Sequence, residues 1–202
     1  MIAMAAKKQQ PVAMSVPTHL LTIEEYLALG ETENGYTELQ EGRILMSPSP
    51  TGEHMDGSGE LYFQLRNQLP NDLWVTQDLD IDLELRAPGE PGYVRRPDLI
   101  IYQRETRDRQ RREGGLIRAS EILVVVEIIS PGSGRTDRVI KHAEYADSGI
   151  PFYWIIDLAQ PVSLQSCELT KGTSYRNRDK VTGKFETEVP FPFTIDLDTL
   201  VI

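Results

Sequence analysis

The stretch that most limits how this chain can fold is EILVVVEIIS, residues 121–130. Seven of the eight residues from Ile122 to Ile129 are aliphatic, without any alternation of apolar and polar side chains. A strand of this composition is buried on both faces, which requires a layer of structure on each side of its sheet. The stretch therefore predicts a sheet that is covered on both sides, as in α/β and α+β proteins.

Local patterns predict the elements around this strand. Thr22 and Glu25 have the spacing of a capping box at the start of a helix. Thr136 is predicted as the N-cap of a later helix, and Gly149 as its stop. The predicted helices are LTIEEYLAL, EHMDGSGELYFQLRNQL and TDRVIKHAEYADSG; the predicted strands are the hairpin GYTELQEGRILMSPSP, then DLIIY, FYWIID and several short strands near the end, with a turn at VTGK. These elements predict one α/β or α+β domain built on a mixed sheet.

The stretch WVTQDLDIDLEL, residues 74–85, has a strict period of two from Asp78 onward. Four apolar residues from Leu79 to Leu85 alternate with acids from Asp78 to Glu84. This pattern predicts a single strand with one buried face and one solvated acidic face, from which Asp80 could lean toward a metal ion.

Size and composition limit the class of protein. A chain of 202 residues suits one domain, predicted over residues 20–202, with residues 1–19 as a loosely attached tail. That tail lacks the apolar core of a signal peptide, and no apolar run reaches the roughly 18 residues of a membrane span. We therefore expect a cytoplasmic protein that does not enter membranes. The single cysteine, Cys167, excludes an internal disulfide framework, and nothing around it suggests a catalytic thiol.

Charge is unevenly distributed along the chain. The formal net charge of −10 argues against a sequence-blind nucleic-acid coat, because such binding comes mostly from neutralising phosphates. Residues 95–118, however, hold eight arginines. The part of this segment after DLIIY is predicted to be a loop or a solvated helix, and phosphate contact is the alternative interpretation.

Two acids lie next to strand-like apolar residues, where a charge is costly. Glu127 is preceded by three valines and followed by two isoleucines. Burying its carboxylate there is unfavourable unless an arginine pairs with it or a metal ion binds it. Asp98 follows Pro97 at the start of DLIIY, where Pro-Asp is also ordinary turn chemistry. If adjacent strands bring the two acids together, they could share Mg²⁺, which binds a few carboxylate oxygens and keeps several waters.

Lys141, in the helix that follows, is the candidate for a positive charge near these acids. A cation there could orient the water that attacks a phosphate in a metal-assisted hydrolysis. The other interpretation is a surface pair with Asp137, four residues earlier, which would contribute only tenths of a kcal/mol. The residues alone leave both interpretations open.

Three stretches, taken in order, resemble the Uma2 family, also called DUF820. They are YTELQEGRILMSPSPTGEH, RRPDLIIY and LVVVEIISPGSGRTDRVIKHAEYADSGIPFYWIID. The resemblance covers about residues 20–202, and the motifs are specific only when they are taken jointly. The family belongs to the PD-(D/E)XK nuclease superfamily. The resemblance therefore implies a restriction-endonuclease-like mixed β-sheet flanked by helices.

The resemblance also implies roles for five residues. Asp98 matches the PD element and Glu127 the acid of the second element, and both would hold Mg²⁺ or Mn²⁺. The lysine of that second element is absent from the strand, and Lys141 occupies the place to which this family displaces it. Glu38 resembles the family's N-terminal glutamate, which is often assigned to the metal shell. His54 resembles a histidine that recurs near the start of the second helix.

Position alone favours a simpler interpretation for two of these residues. Glu38 lies beside a predicted hairpin turn, and His54 lies in the first turn of a predicted helix. Both would ordinarily be solvated, and only the resemblance raises them to candidates for the catalytic set.

The leading hypothesis is a metal-dependent endonuclease that hydrolyses phosphodiester bonds, with DNA as the expected substrate. We expect a homodimer, because nucleases of this superfamily often need two active sites to cut two strands. Arg95, Arg96 and Arg135, which lie close to the acids in the sequence, are predicted to contact nucleic acid. The first rival is a non-catalytic nucleic-acid-binding or regulatory module that keeps the nuclease fold. The second is a structural domain whose acids simply pair with arginines.

Overall fold

The computed structural model describes residues 17–30, 36–47, 49–130, 133–171 and 174–201. The helices are α1 (Ile23–Leu29), α2 (Gly52–Arg66), α3 (Arg104–Glu113) and α4 (His142–Asp147), with 3₁₀ helices at Ala119–Glu121 and Leu197–Leu200 and a π-helical turn at Thr136–Lys141 that leads into α4. The strands are β1 (Thr37–Gln40), β2 (Arg43–Met46), β3 (Leu73–Gln77), β4 (Ile81–Asp82), β5 (Val94–Arg95), β6 (Leu99–Gln103), β7 (Ile117–Arg118), β8 (Ile122–Ile129), β9 (Phe152–Asp157), β10 (Ser163–Leu169), β11 (Tyr175–Asn177), β12 (Val181–Thr182), β13 (Lys184–Thr187) and β14 (Phe193–Asp196). The tail predicted for residues 1–19 lies almost entirely outside the described residues.

The largest sheet is mixed, as predicted. Its order is β11-β10-β9-β8-β6-β3, and β12 also pairs with β10. β8 and β9 run parallel, whereas β6 pairs with both β3 and β8 in the antiparallel direction. A smaller sheet has the order β2-β1-β5-β4-β7, and β13 and β14 form a separate hairpin.

Both faces of β8 are covered, which confirms the interpretation of its unbroken apolar run. Val124 and Val126 pack into one cluster with Leu61 and Leu65 of α2. Val125 packs into a second cluster on the opposite face, with residues of α4 and the smaller sheet. Burying each such side chain contributes about 1.5–3 kcal/mol. This two-sided core makes β8 a rigid support for any side chain that projects from its end.

Several local predictions are confirmed. The Thr22–Glu25 capping box begins α1, with both reciprocal hydrogen bonds formed. The predicted hairpin is β1–β2, and the arginine-rich segment after β6 is the helix α3. Gly57 allows α2 to approach its neighbours, because a Cβ there would lie 3.0 Å from the Leu200 carbonyl oxygen.

The single strand predicted for residues 74–85 is wrong. Asp78, with φ of 49°, ends β3 and turns the chain into β4, which belongs to the other sheet. A period of two does not reveal this turn, because aspartate adopts the left-handed conformation more readily than most residues. Ile81 and Leu83 still lie in the core, as the alternation predicted.

The start of the helix near residue 136 also differs from the prediction. The Asp137 amide donates to the Ser133 carbonyl (3.0 Å), so Thr136 lies within a helical turn rather than at an N-cap. The predicted stop is confirmed, since the helix ends at Asp147 and Gly149 has φ of 77°. None of the helices in the described ranges is both long and apolar enough to cross a bilayer.

Cys167 lies on β10 in the core and is fully buried. Burial raises the pKa of its thiol to about 12. Because the thiolate is the reactive form, we expect the native protein to resist alkylation by iodoacetamide and the denatured protein to react completely. Mass spectrometry of the two samples tests this, and equal labelling of both would contradict the burial of this residue.

Candidate active site

A pocket of about 120 Å³ opens where β3 and β8 end and β6 begins. Five side chains that the sequence singled out line it. They are Glu38, His54, Asp98, Glu127 and Lys141. The structure therefore brings together all five residues of the predicted catalytic set, from β1, α2, the start of β6, β8 and the π-helical turn.

Strand register places the two principal acids side by side. Leu99 of β6 lies opposite Val126 of β8, and continuing that register by one residue sets Asp98 opposite Glu127. The Ile128 amide donates to Asp98 Oδ2 at 2.5 Å, which ties the aspartate to the neighbouring strand. The adjacent strands β6 and β8 thus hold the two carboxylates side by side at the same end of the sheet.

Lys141 lies among carboxylates rather than on the surface. Its Nζ donates to Glu127 Oε1 (2.8 Å) and lies 3.3 Å from Glu38 Oε1 and 3.8 Å from Asp137 Oδ1. The Tyr145 hydroxyl also donates to Glu127 Oε1, at 2.6 Å. The Lys141–Asp137 pair considered from the sequence exists, but both residues are buried.

Glu38 is buried, which removes the interpretation of a solvated residue beside a turn. Its Oε2 accepts from Arg95 Nη1 (2.8 Å), and its Oε1 accepts from the Arg96 amide (3.1 Å). Arg95 also forms two hydrogen bonds of 2.7 Å with Glu144 of α4. Arg95 is only 1% exposed, so its guanidinium holds the smaller sheet to α4 and is not on a surface that nucleic acid can reach. This placement corrects the prediction that Arg95 contacts nucleic acid.

His54 is also buried rather than solvated. Its Nε2 donates to Asp98 Oδ1 at 2.9 Å, and its Nδ1 lies 2.9 Å from Ser130 Oγ. Thr51 caps α2 by accepting from the His54 amide, which fixes the first turn of the helix. The hydrogen bond to Asp98 raises the pKa of His54 above its ordinary value, although burial opposes this.

The sequence also singled out four other charged residues, Arg96, Asp80, Asp78 and Arg135. Arg96 makes a bidentate pair with Asp80 (2.6 and 2.9 Å) and stacks on Tyr36, 4.5 Å from the ring centre. The carboxylate of Asp80 is therefore engaged by arginine instead of leaning toward a metal ion. Asp78 lines the pocket, and Arg135 is exposed.

Negative charge exceeds positive charge inside the pocket, and the pKa values of its acids reflect this. Burial, reinforced by Asp98 and Asp137, raises the pKa of Glu127 to about 8, even though Lys141 opposes the shift. Burial alone would lower the pKa of Lys141, but Glu127, Glu38 and Asp137 together raise it above its ordinary value. Burial raises the pKa of Glu38 too, yet Lys141 and Arg95 outweigh it and lower the pKa overall. A site of this kind favours an additional cation.

The raised pKa of Glu127 has a consequence for stability. Because the folded protein retains a proton that the unfolded chain loses near the ordinary value of 4.5, this group makes folding less favourable as pH rises toward about 8. We expect a metal-free Glu127→Gln variant to gain stability relative to the wild type across that interval. Urea unfolding at several pH values measures the difference, with Glu168→Gln, at a partly exposed position of β10, as a control. A difference that does not change with pH would contradict the assignment.

The residues fit a metal ion held by two carboxylates. In the part of the chain that the structure describes, no three His, Cys, Asp or Glu side chains converge on one possible metal position. Glu38 does not complete such a set, because two cations already lie against its carboxylate, Arg95 at 2.8 Å and Lys141 at 3.3 Å. Asp98 and Glu127 remain, and Mg²⁺ is commonly bound by one or two carboxylates with several waters retained.

Sequence reasoning missed some of the residues that shape this site. Tyr145 was not identified, although its spacing of four from Lys141 places both on one helix face. Asp137 was considered only as a surface partner of that lysine. Ser130, which contacts His54, has no sequence signal apart from its position at the end of β8.

Comparison with solved structures identifies the class of fold. A crystal structure described as "a putative nuclease belonging to DUF820" from Anabaena variabilis matches with a TM-score of 0.65 and 20% sequence identity, over 89% of this chain and 97% of that chain. At this identity the likeness establishes the fold, which is that of a nuclease-like α+β protein, as predicted.

Comparison with protein families then identifies the family. Residues 23–191 match Uma2, described as "Putative restriction endonuclease". The chain belongs to the Uma2 family, and family and fold together indicate a nuclease. A comparison with curated proteins finds no match.

Proposed function

We propose that this chain is a divalent-metal-dependent endonuclease that hydrolyses phosphodiester bonds in DNA. The observation that carries the proposal is the meeting of Asp98, Glu127 and Lys141 in one pocket. Each comes from a different element, and each is held by hydrogen bonds to neighbouring groups. Such a set provides two carboxylates for a hard cation and a lysine beside them.

Asp98 and Glu127 would hold Mg²⁺ or Mn²⁺. When bound, such an ion polarises a phosphoryl oxygen and lowers the pKa of a coordinated water. His54 and the Ile128 amide orient Asp98, while Tyr145 orients Glu127. These contacts keep the two carboxylates in position before the substrate arrives.

Lys141 would stabilise the negative charge that develops on the phosphate in the transition state. Its raised pKa keeps the ammonium charged, as this role requires. Glu38 would act by positioning Lys141 and Arg95 rather than as a direct ligand of the ion, because those cations lie against its oxygens. Arg96 and Arg135 are proposed as contacts for the phosphate backbone, since neither is fully buried.

The first test measures cleavage of a supercoiled plasmid by the purified protein with Mg²⁺, with Mn²⁺ and with EDTA. We expect cleavage only with a divalent metal, and loss of nearly all of it in Glu127→Ala because the ion loses one of its two carboxylates. Glu168→Ala, on β10, serves as the control because Glu168 pairs with exposed arginines outside the pocket. Retained cleavage by Glu127→Ala would overturn the proposal.

The second test measures metal binding without substrate. A ligand that binds only the folded state raises the melting temperature by mass action. We expect millimolar Mg²⁺ or Mn²⁺ to raise the melting temperature of the wild type by several degrees, and Asp98→Asn to abolish the rise. An equal rise in both proteins would place the metal elsewhere.

A non-catalytic nucleic-acid-binding or regulatory module is the second candidate. It is favoured by the contact between Lys141 and Glu127, which gives each of these buried groups a partner without a metal. This candidate predicts DNA binding without turnover in any divalent metal, so the cleavage assay separates the two functions. The homodimer expected from the family resemblance stays a prediction, which sedimentation of the full chain tests.

A further inference from the structure

A cluster of arginines surrounds Trp74 on β3, outside the pocket. The guanidinium carbons of Arg66, Arg104 and Arg107 lie 4.4, 4.9 and 4.2 Å from the centre of the indole ring. Cation–π contacts of this kind hold a guanidinium in place without neutralising its charge. We call these four residues the Trp74 patch.

Three elements build the Trp74 patch. β3 is the last described strand on its side of the largest sheet, and Trp74 is partly exposed, whereas its neighbours Leu73 and Val75 are buried in the core. Arg66 is the last residue of α2, and Arg104 and Arg107 lie one turn apart at the start of α3. The Arg104 amide donates to the Asp72 carbonyl, and its Nε donates to the Asn71 carbonyl, both at 2.7 Å. These bonds tie α3 to the segment that leads into β3.

The arginines of the Trp74 patch differ from their neighbours in pairing. Arg109, on the same helix, forms a bidentate pair with Glu121, and Arg138 pairs with Asp157. Among the ion pairs formed by described residues, none involves Arg66, Arg104 or Arg107. Three like charges around one ring repel each other, so an anion with several oxygens would relieve this repulsion by accepting hydrogen bonds from them.

The position of the Trp74 patch relates it to the pocket. Trp74 lies four residues before Asp78, which lines the pocket. At about 3.3 Å per residue, β3 carries the chain roughly 13 Å between the two. Duplex DNA rises about 3.4 Å per base pair, so this separation corresponds to about four base pairs. A duplex with one phosphate in the pocket could therefore place another at the patch.

We propose that the Trp74 patch binds the phosphate backbone of duplex DNA about four base pairs from the phosphate that enters the pocket. The spacing rests on the proposed nuclease function, whereas binding of the duplex by the patch does not. In a chain with a net charge of −10, a local cluster of unpaired guanidiniums provides the attraction that the molecule as a whole lacks.

The test compares variants of equal charge. In Arg66→Gln/Arg104→Gln/Arg107→Gln, three charges of the Trp74 patch are removed. In Arg176→Gln/Arg178→Gln/Lys180→Gln, three exposed charges are removed from the far side of the sheet, where Glu168 pairs with two of them. Fluorescence anisotropy with a labelled duplex of about 30 base pairs, in Ca²⁺ and over a range of salt concentrations, gives affinity and salt dependence. The melting temperature of each variant shows whether it is folded.

We expect the patch variant to bind at least about tenfold more weakly than the control variant at about 0.1 M salt. The slope of log affinity against log salt should fall by about two to three in magnitude, since each lost phosphate contact removes about 0.9. Arg107→Gln alone, which leaves the Arg104 anchor to Asn71 intact, should account for about one unit of that slope.

The proposal would be overturned if the two triple variants bound the duplex with equal affinity and equal salt dependence. It would also be overturned if the wild type bound no duplex, in which case an acidic protein would be the alternative ligand of the patch. The plasmid assay keeps the two proposals separate. A wild type that cleaves DNA while the patch variant binds normally would refute the patch alone. Binding that depends on the patch, in a wild type that never cleaves, would support the patch and refute the nuclease.

Discussion

Replacing Arg95 by alanine is expected to destabilise the protein by about 3–5 kcal/mol. The guanidinium is 1% exposed and donates to Glu38 at 2.8 Å and twice to Glu144 at 2.7 Å. Without it, two largely buried carboxylates lose their main partner. Removing one member of a buried ion pair costs this much because the remaining charges are left uncompensated. Urea denaturation of the purified variant measures the loss.

Arg109→Ala is the matched control for this prediction. Arg109 also forms a bidentate pair, with Glu121, but both side chains are partly exposed. Solvent screens such pairs, so we expect a loss of no more than about 1 kcal/mol. If the two variants lost the same stability, Arg95 would not be the buried link between β5 and α4 that the structure describes.

Replacing Lys141 by methionine is expected to reduce the rate of DNA cleavage by about 10²–10³-fold. Methionine keeps much of the length of the side chain and removes its charge, so the developing negative charge on the phosphate loses a partner. Asp98 and Glu127 remain, and the rise in melting temperature with Mg²⁺ should persist. The combination of lost cleavage and retained metal response distinguishes a charge-stabilising lysine from a residue that only supports the metal site.

Arg138→Met provides the comparison, because it removes a positive charge from the same π-helical turn. Arg138 pairs with Asp157 on β9, outside the pocket. We expect its cleavage rate to stay within a few-fold of the wild type. A Lys141→Met protein that cleaves as fast as Arg138→Met would exclude Lys141 from the chemistry.

Much of the candidate site could be predicted from residues that are costly to bury. Glu127 within an unbroken aliphatic run and Asp98 at the start of another indicate a pair of carboxylates on neighbouring strands. The resemblance to the Uma2 family added Glu38 and His54, whose positions alone suggested solvated residues. It also favoured the catalytic interpretation of Lys141, for which the residues alone left two interpretations open. The structure places all five around one pocket.

Elements with local signals could be predicted from the amino-acid sequence. The capping box of α1, the β1–β2 hairpin, the doubly covered strand β8 and the stop at Gly149 each depend on a few consecutive residues, and each is found where it was predicted. Such features can be predicted because they depend on the backbone geometry and periodicity of nearby residues, not on distant contacts.

Which charged side chains meet depends on the tertiary packing. Arg95 and Arg96 are adjacent in sequence, yet one is buried between Glu38 and Glu144 and the other lies at the mouth of the pocket. Consecutive residues of a strand point to opposite faces, so what each face meets depends on packing between sheets and helices. The turn at Asp78 likewise follows from pairing with two different sheets. The energy of a buried charge depends on its partners in space, and a linear pattern does not specify those partners.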